Sequence, residues 1–453
     1  MTHYQSVQAA EADVNIYVAE MRFFRALEYF NKIQLLGDVP WLEVDLNVDS
    51  EELYGPKMKR NQVFQKIIED LDFAIQWLPE AGSEEANRLN KDIARHVKAR
   101  FCLNEGTHYK YHDELEYASE AEKWLQMAAT ESDKLITSGR YEIYNTGHPQ
   151  EDYFNMYRID DKSDLKEAVL YVDYKTNILE HNMAAAGREA GCGFSKSFVE
   201  SFLCSDGLPI SLSNKYLGDE TMRKETANRD PRLKQLILTN DFPTNVTDDL
   251  KDSTFVVNED EFITQHCFTG YRPIKGFNPI YSQALYMKSS FDGIAYRYAE
   301  TLLINAEAKA ELNTITNADL DRTVNQLRDR VGMPHLTVNV GFTDPKWPDW
   351  GYSLSPILQE IRRERCIELA GEGFRFNDLK RWKAGKVLNN VLTYVGKRKP
   401  DGNLAIVYPN YTNPDLSYQA GKSRTWEDKM YLYPIPTGEL QRNPQLLPQN
   451  PGW

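Results

Sequence analysis

Apolar residues recur every three to four positions in seven segments of the chain, which is the spacing of one helix face. The segments are 14–36, 61–78, 91–111, 117–136, 296–312, 317–331 and 355–370. Gly37, Pro79 and Gly139 follow three of them and are typical residues for ending a helix. Ser355 and Pro356 suit the N-cap and the first helical position of the last segment. The pattern predicts an all-α protein.

Three of these segments share a finer pattern: an alanine, a large apolar residue four positions on, and a second alanine three positions later. The three sets are Ala19, Phe23 and Ala26; Ala121, Leu125 and Ala128; and Ala299, Leu303 and Ala306. Small residues let a neighbouring helix approach closely, while the large residue fills the groove between helices. This spacing is typical of tetratricopeptide helix pairs. We therefore expect repeat helices at about 14–138 and 296–396.

The helical pattern fades between residues 141 and 295. Turn-forming pairs such as Asp206-Gly207 and Asn278-Pro279 separate short extended runs at 168–174 and 254–257. Long irregular segments in compact proteins often carry function. The sequence predicts one domain over residues 1–453, with an irregular, loop-rich ligand-binding subdomain at about 141–295 and a proline-rich C-terminal segment at 431–453.

Composition and charge exclude several classes of function. The formal net charge is −14 and basic residues are not clustered, which argues against nucleic acid as a partner and against a polybasic grip on anionic lipid. No run approaches the roughly 18 apolar residues of a membrane span. Five scattered cysteines provide neither a disulfide framework nor a zinc motif.

The sequence motifs give little support for a catalytic site or a metal site. The chain has no GxSxG, GxxxxGK[ST] or GxGxxG motif. His108 and His112 are four apart on a predicted helix, but no further ligand accompanies them, so we expect a packed or solvated pair rather than a metal site. Four glutamates form a helical stripe: Glu360, Glu364, Glu368 and Glu372. Five arginines are interleaved with it: Arg362, Arg363, Arg365, Arg375 and Arg381. Such arginines would lower carboxyl pKa values, which is wrong for a general acid. No catalytic residue, metal or cofactor is predicted.

Aromatic residues in loops are the remaining candidates for function. A flat aromatic ring can stack on the C–H face of a sugar while nearby polar groups bond its hydroxyls. Candidates in the irregular middle are Tyr174, Phe194, Tyr216 and Tyr271. The alternative, that each ring only anchors its own loop, stays open for all of them. We favour that alternative for Trp347 and Trp350, which flank Pro348 in what reads as a packed corner.

Several blocks of sequence, in order along the chain, resemble the SusD/RagB family. They are AEMRFFRALEYFNKIQLLGDVPWLEV (19–44), VFQKIIEDLDFAIQWLPE (63–80), RYAETLLINAEAKAEL (297–312), VNQLRDRVGMP (324–334), IRRERCIELAGEGFRFNDLKRW (361–382) and LYPIPTGEL with NPQLLPQNPGW (432–453). The resemblance implies four tetratricopeptide-like helix pairs that support an irregular ligand-binding subdomain. It also implies a ligand-binding residue in the loop after the first repeat helix, where Trp41 lies.

The resemblance further implies a function without catalysis. Such proteins bind an oligosaccharide or polysaccharide at the outer membrane of Bacteroidetes and deliver it to a SusC-like TonB-dependent transporter. They are surface-exposed lipoproteins, although this chain shows no signal peptide and no lipidation cysteine. Two alternatives stay open: a peptide-binding, RagB-like member of the family, and an intracellular tetratricopeptide-type scaffold for a protein partner. The predicted ligand-binding residues are Trp41, Tyr174, Phe194 and Tyr216.

Overall fold

The computed structural model describes residues 11–83, 87–183, 193–264, 267–406 and 424–453, and most of its regular structure is helical. The helices are α1 (Glu11–Leu36), α2 (Arg60–Trp77), α3 (Lys91–Tyr111), α4 (Ala121–Thr137), α5 (Asp152–Asn155), α6 (Lys196–Ser201), α7 (Met222–Thr226), α8 (Arg232–Leu236), α9 (Tyr298–Glu311), α10 (Asn317–Asp321), α11 (Val324–Arg330), α12 (Pro356–Glu368), α13 (Phe374–Arg381) and α14 (Thr437–Arg442). The predicted all-α class with tetratricopeptide-like helix pairs is confirmed.

Within the described ranges, six short strands form three antiparallel pairs. They are β1 (Ala168–Val172) with β4 (Gly293–Arg297), β2 (Pro243–Val246) with β3 (Ser253–Phe255), and β5 (Val395–Arg398) with β6 (Leu404–Ile406). Among the described helices, none combines the length and apolar character needed to cross a membrane. The chain divides into two compact units. The prediction of a single domain over residues 1–453 stays a prediction.

The first unit comprises Met1–Thr137, Lys380–Gly385 and Trp426–Trp453 and holds α1 to α4. Consecutive helices pack on one another, α1 on α2, α2 on α3 and α3 on α4. The rings of Phe30 and Phe101 stack with centroids 3.6 Å apart, and Phe64 meets Trp124 edge-on at 4.8 Å. These aromatic contacts fill the space between the helix pairs.

The alanine-based pattern lies at the helix contacts. Ala19, Phe23 and Ala26 are at most 1% exposed, and the sets on α4 and α9 are buried as well. Gly106 of α3 extends this close approach, because a methyl group added there would lie 2.9 Å from the backbone nitrogen of Leu125 on α4. The sequence pattern therefore identified the surfaces along which helices meet.

The proline-rich C-terminal segment packs against the end of α1 within the first unit. Tyr433 donates its backbone N–H to the carbonyl of Leu35 at 2.7 Å. The side-chain amide of Asn450 donates to the carbonyl of Leu36 at 2.9 Å. These bonds satisfy carbonyl groups that the helix C-terminus leaves without an intrahelical partner.

The second unit comprises Ser138–Leu379 and Lys386–Thr425. Its apolar core joins the irregular middle to α12, with Tyr153, Phe202, Leu236 and Phe277 at most 3% exposed and Ile367 of α12 in the same cluster. A group of buried charges also lies around α12. Its members are Glu167, Arg232, Arg297, Arg328, Arg330, Glu364 and Glu368.

Three predicted helix boundaries were wrong. The helix expected from residue 117 begins at Ala121, because Ala118–Glu120 form a 3-10 turn instead. The helix expected from 296 begins at Tyr298, since the preceding residues form β4. The single helix expected over 317–331 is two helices, interrupted at Thr323 with φ −130° and ψ −95°. Ser355 caps α12 as predicted, accepting from the Leu358 N–H.

Candidate functional site

Trp41 lies in the first unit, in the loop after α1, and is half-buried. Its ring rests against Tyr29 with centroids 4.2 Å apart, and the Arg25 guanidinium lies 4.9 Å from its centroid. Its indole N–H donates to Glu43 Oε1 at 2.8 Å, which lowers the pKa of that carboxyl. The ring is therefore held in one orientation while part of it stays open to solvent.

Tyr174 lies in the second unit, at the start of an open surface made by two adjacent segments. His181 and Ser289 form a backbone bridge with N–H to oxygen distances of 2.9 and 3.1 Å. Asn182 accepts from the Met287 N–H at 3.2 Å, and Tyr174 donates its N–H to Asp292 at 2.9 Å. The residues 174–183 and 281–293 are thereby held side by side.

Two tyrosines that the sequence analysis did not select lie on the second of these segments. Tyr286 is 70% exposed and Tyr281 is 52% exposed, which makes Tyr286 the most exposed aromatic side chain in the described part of the second unit. We call the two segments 174–183 and 281–293, which carry Tyr174, Tyr281 and Tyr286, the tyrosine ledge. The turn signal at Asn278-Pro279, followed by two tyrosines five residues apart, was the available signal in the sequence.

Phe194, Tyr216 and Tyr271 are more involved in packing than Tyr174. Phe194 stacks on Phe198 with centroids 4.4 Å apart, beside the apolar core. Tyr216 lies under the Arg229 guanidinium at 5.4 Å, and burial raises the pKa of its phenol. Tyr271 is fully buried and donates to Glu225 at 2.8 Å. The ligand-binding roles of Phe194 and Tyr216 stay predictions.

A cavity of about 810 Å³ opens within the second unit. Its walls are α6, the loop 344–351, one face of α12 and residues 386–393. This volume lies within the roughly 300–1,000 Å³ typical of small-molecule sites. The cavity is therefore large enough for a sugar or a compound of similar size.

The two tryptophans of the loop 344–351 differ in what they offer to a ligand. Trp350 is 5% exposed, with the guanidinium groups of Arg362 and Arg375 lying 5.0 and 5.8 Å from its ring. Its indole N–H donates to Gln359 at 2.6 Å, and that of Trp347 donates to Glu360 at 2.7 Å. The packed corner predicted from the sequence describes Trp350, whereas Trp347 is half-buried and lines the cavity.

The glutamate stripe forms ion pairs, but mostly with arginines outside the block in which it was found. Glu364 pairs with Arg232 and Arg328, and Glu368 pairs with Arg232, Arg297 and Arg330. Expecting the interleaved arginines to supply these contacts was wrong. Arg363 is the exception, lying 3.3 Å from Glu360.

The pKa values of the stripe do not suit an acid–base pair. Burial would raise the pKa of Glu372, but Arg297 and Lys275 outweigh it and hold that pKa below its usual value. Glu360 differs from the expectation, because burial raises its pKa despite the neighbouring Arg363. One carboxylate oxygen of Glu360 nevertheless accepts a hydrogen bond from the indole N–H of Trp347.

His108 and His112 stack with ring centroids 4.0 Å apart. His112 bonds Glu114 through Nδ1 at 2.9 Å and the Lys380 carbonyl through Nε2 at 2.8 Å. Across the described ranges, no group of three or more His, Cys, Asp or Glu side chains is arranged to hold a metal ion. The pair is packed, as the sequence suggested.

Helix pairs together with an irregular, loop-rich region define the chain as an all-α protein of the tetratricopeptide-like kind. The sequence matches the SusD family over residues 135–453, and the chain belongs to that family. SusD-like protein P2 of Formosa agariphila is 24% identical over 456 residues, which cover 98% of this chain and 75% of that protein.

Solved structures show the same fold. A SusD-like protein from Bacteroides fragilis is 25% identical and superposes with a TM-score of 0.73, covering 99% of this chain and 82% of that one. A second B. fragilis structure, described as a SusD-like carbohydrate binding protein, is 22% identical with a TM-score of 0.70, covering 98% of this chain and 82% of that one.

Proposed function

We propose that this protein binds oligosaccharide or polysaccharide at the cell surface, without catalysis, for uptake through a SusC-like TonB-dependent transporter of the outer membrane. Membership of the SusD family is the observation that carries the proposal. The B. fragilis relative described as carbohydrate binding supports the choice of ligand class. The location at the outer membrane, the lipid anchor and the transporter partner follow from the family resemblance alone.

The tyrosine ledge is the surface that best suits the proposed ligand. Tyr281 and Tyr286 leave much of their rings accessible, and an accessible ring can bury the apolar face of a pyranose. Asn182, Gln283 and Lys288 lie on the same two segments and can bond sugar hydroxyls. An open surface of this kind suits a polymer, which passes across it rather than ending in it.

The contacts of three glutamates on α12 and just after it support the proposal that the protein does not hydrolyse its ligand. Retaining and inverting glycosidases need one carboxyl that holds a proton near neutral pH and a second that is ionised. Glu368 and Glu372 are held ionised by arginine and lysine contacts, and Glu360 accepts the Trp347 N–H. These contacts argue against an acid–base pair formed by Glu360, Glu368 and Glu372.

Titration calorimetry against plant, host-mucin and storage glycans tests the proposal. We expect at least one saccharide to bind with its chain length unchanged after prolonged incubation. Release of shorter products would refute the non-catalytic part. Binding of peptides in place of any glycan would favour the RagB-like alternative.

A further inference from the structure

The wall of the cavity beside α12 is fixed by three consecutive anchors from the loop 344–351. Asp344 pairs with Arg363 at 2.6 Å, while Trp347 and Trp350 are bound through their indole N–H groups to Glu360 and Gln359. Because these partners lie within one turn of α12, the loop is held at several points against a rigid element. A binding surface built in this way needs little ordering when a ligand arrives.

The charges that line the cavity are mainly positive, in a chain whose net charge is −14. The cationic residues are Lys346, Arg362, Arg363, Arg375 and Lys386, and the acidic ones are Glu200, Asp344 and Asp349. Two of the three acids are already neutralised, Glu200 by Lys346 at 2.9 Å and Asp344 by Arg363. The same contacts neutralise Lys346 and Arg363, and Arg362 pairs with Glu311 at 3.0 Å, so most of the cations in the lining are already in ion pairs.

Two cationic side chains of the lining have donor groups without a partner among the described residues. The Arg363 side chain is only 8% exposed, and its Nη1 is buried without a hydrogen-bond partner in the part of the chain that the structure describes. Lys386 is exposed and lines the same cavity, and within the described residues its ammonium has no ion pair. A buried guanidinium nitrogen without an acceptor is costly, and an anionic ligand would satisfy it.

Groups that suit a sugar also line the cavity. Trp347 has a half-buried ring, and its orientation is fixed by Glu360. Hydroxyl and amide side chains line the same cavity, among them Ser197, Thr393 and Asn390. Trp350 is unavailable for stacking because Arg362 and Arg375 lie over its ring.

We infer that this cavity is a second saccharide site, distinct from the tyrosine ledge, and that it takes a sugar residue bearing a carboxylate or a sulfate. The ring of that sugar stacks on Trp347, and its anionic group pairs with Arg363 and Lys386. The inference rests on the proposed function, because it names a class of glycan for the same protein.

Calorimetry with matched pairs of probes tests the inference. One pair is oligogalacturonate and its carboxyl-reduced, neutral counterpart; the other is a sulfated galactan oligosaccharide and its desulfated form. We expect a charged probe to bind about tenfold more tightly than its neutral partner, because the neutral sugar leaves Arg363 Nη1 unsatisfied. Added salt should weaken only the charged probe. The pair that shows the difference identifies the anion as carboxylate or sulfate.

Substitution of Lys386 tests whether the charged probe binds at this cavity or is only attracted by exposed lysines in general. Lys386→Gln should weaken binding of the charged probe about two- to fivefold, as expected for loss of an exposed ion pair. The matched control is Lys251→Gln, because Lys251 is 79% exposed and pairs only with nearby Asp249 among the described residues. That control should bind as the wild type does.

The possible results distinguish the two proposals. Equal binding of charged and neutral probes, or unchanged affinity in Lys386→Gln, would overturn the anionic site and leave the proposed function standing. Displacement of the charged sugar by short acidic peptides at equal concentration would overturn the saccharide class for this cavity. Failure of every saccharide to bind would refute both proposals.

Discussion

Arg330 and Glu368 face each other out of contact with solvent, with Arg330 Nη2 donating to both carboxylate oxygens at 2.7 and 2.6 Å. Arg297 and Arg232 contact the same carboxylate at 2.7 and 3.0 Å. Burial would raise the pKa of Glu368, but the three arginines outweigh it and hold that pKa well below the usual range. One carboxylate thus joins β4, α8, α11 and α12 of the second unit.

Replacing this carboxylate should destabilise the second unit strongly. In Glu368→Gln the shape is kept, but three buried guanidinium groups lose their shared counter-ion. Breaking a buried ion pair by removing one partner costs about 3–5 kcal/mol. Urea unfolding, followed by a probe in the second unit, measures the free-energy change.

The matched control for this substitution is Glu142→Gln. Glu142 pairs with Lys166 at 3.0 Å, and both side chains are at least 60% exposed. An exposed pair contributes about 0–1 kcal/mol, so this variant should unfold almost as the wild type does. Equal effects of the two substitutions would show that the buried network does not stabilise the unit.

The sequence predicted the helix pairs well because their signals are local. Alanine and phenylalanine at fixed spacing on α1, α4 and α9 are enough to define a packing surface without knowledge of the neighbouring helix. The same holds for Ser355, whose capping role depends only on the residues that follow it. Boundaries failed where a strand pairing or a 3-10 turn decided them, as at Tyr298 and Ala121.

The partners of charged and aromatic residues were harder to predict. Arg232 lies 136 positions before Glu368, and no local pattern connects them. The interleaved arginines looked like the natural partners because sequence distance was the only guide. Tyr286 was missed for a related reason: exposure is a property of the folded chain, and Tyr271, in the same irregular region, is fully buried.

Acid should weaken the first unit through His108. Burial, followed by Arg60 and His112, lowers the pKa of His108 well below its ordinary value of about 6.5. Below pH 6.5 the unfolded chain therefore binds a proton at His108 that the folded chain does not bind. The free energy of unfolding falls as pH drops through about 6.5. Thermal unfolding between pH 7.5 and 5 should show a lower transition temperature at the acid end.

A variant without this titration provides the comparison. His108→Phe keeps a planar ring beside His112, whose centroid lies 4.0 Å away in the wild type. Its transition temperature should change less over the same pH interval. If wild type and variant respond equally to acid, His108 is not the group responsible.

Close contact between α3 and α4 should make Gly106 intolerant of any side chain. In Gly106→Ala the new methyl group would lie 2.9 Å from the Leu125 backbone nitrogen, which cannot move without shifting α4. Overpacking of this kind costs about 1–3 kcal/mol. Gly438→Ala on α14 is the control, since the added methyl meets no described atom within 4 Å and should stabilise by about 0.4–1 kcal/mol. Loss of stability in both variants would argue against a specific clash.

Trp41 and the tyrosine ledge are two alternative aromatic surfaces for glycan binding, and substitution of each tests which one binds. Trp41 is the residue indicated by the sequence and the family resemblance, whereas Tyr286 is indicated by its 70% exposure on the tyrosine ledge. Loss of a ring that anchors a ligand commonly costs more than about 1 kcal/mol, so alanine at the binding residue should weaken affinity about fivefold or more. Trp41→Ala and Tyr286→Ala are therefore compared by calorimetry with the same neutral saccharide. We expect Tyr286→Ala to lose affinity. Unchanged affinity in Trp41→Ala would exclude Trp41 from the site, and unchanged affinity in Tyr286→Ala would exclude the ledge.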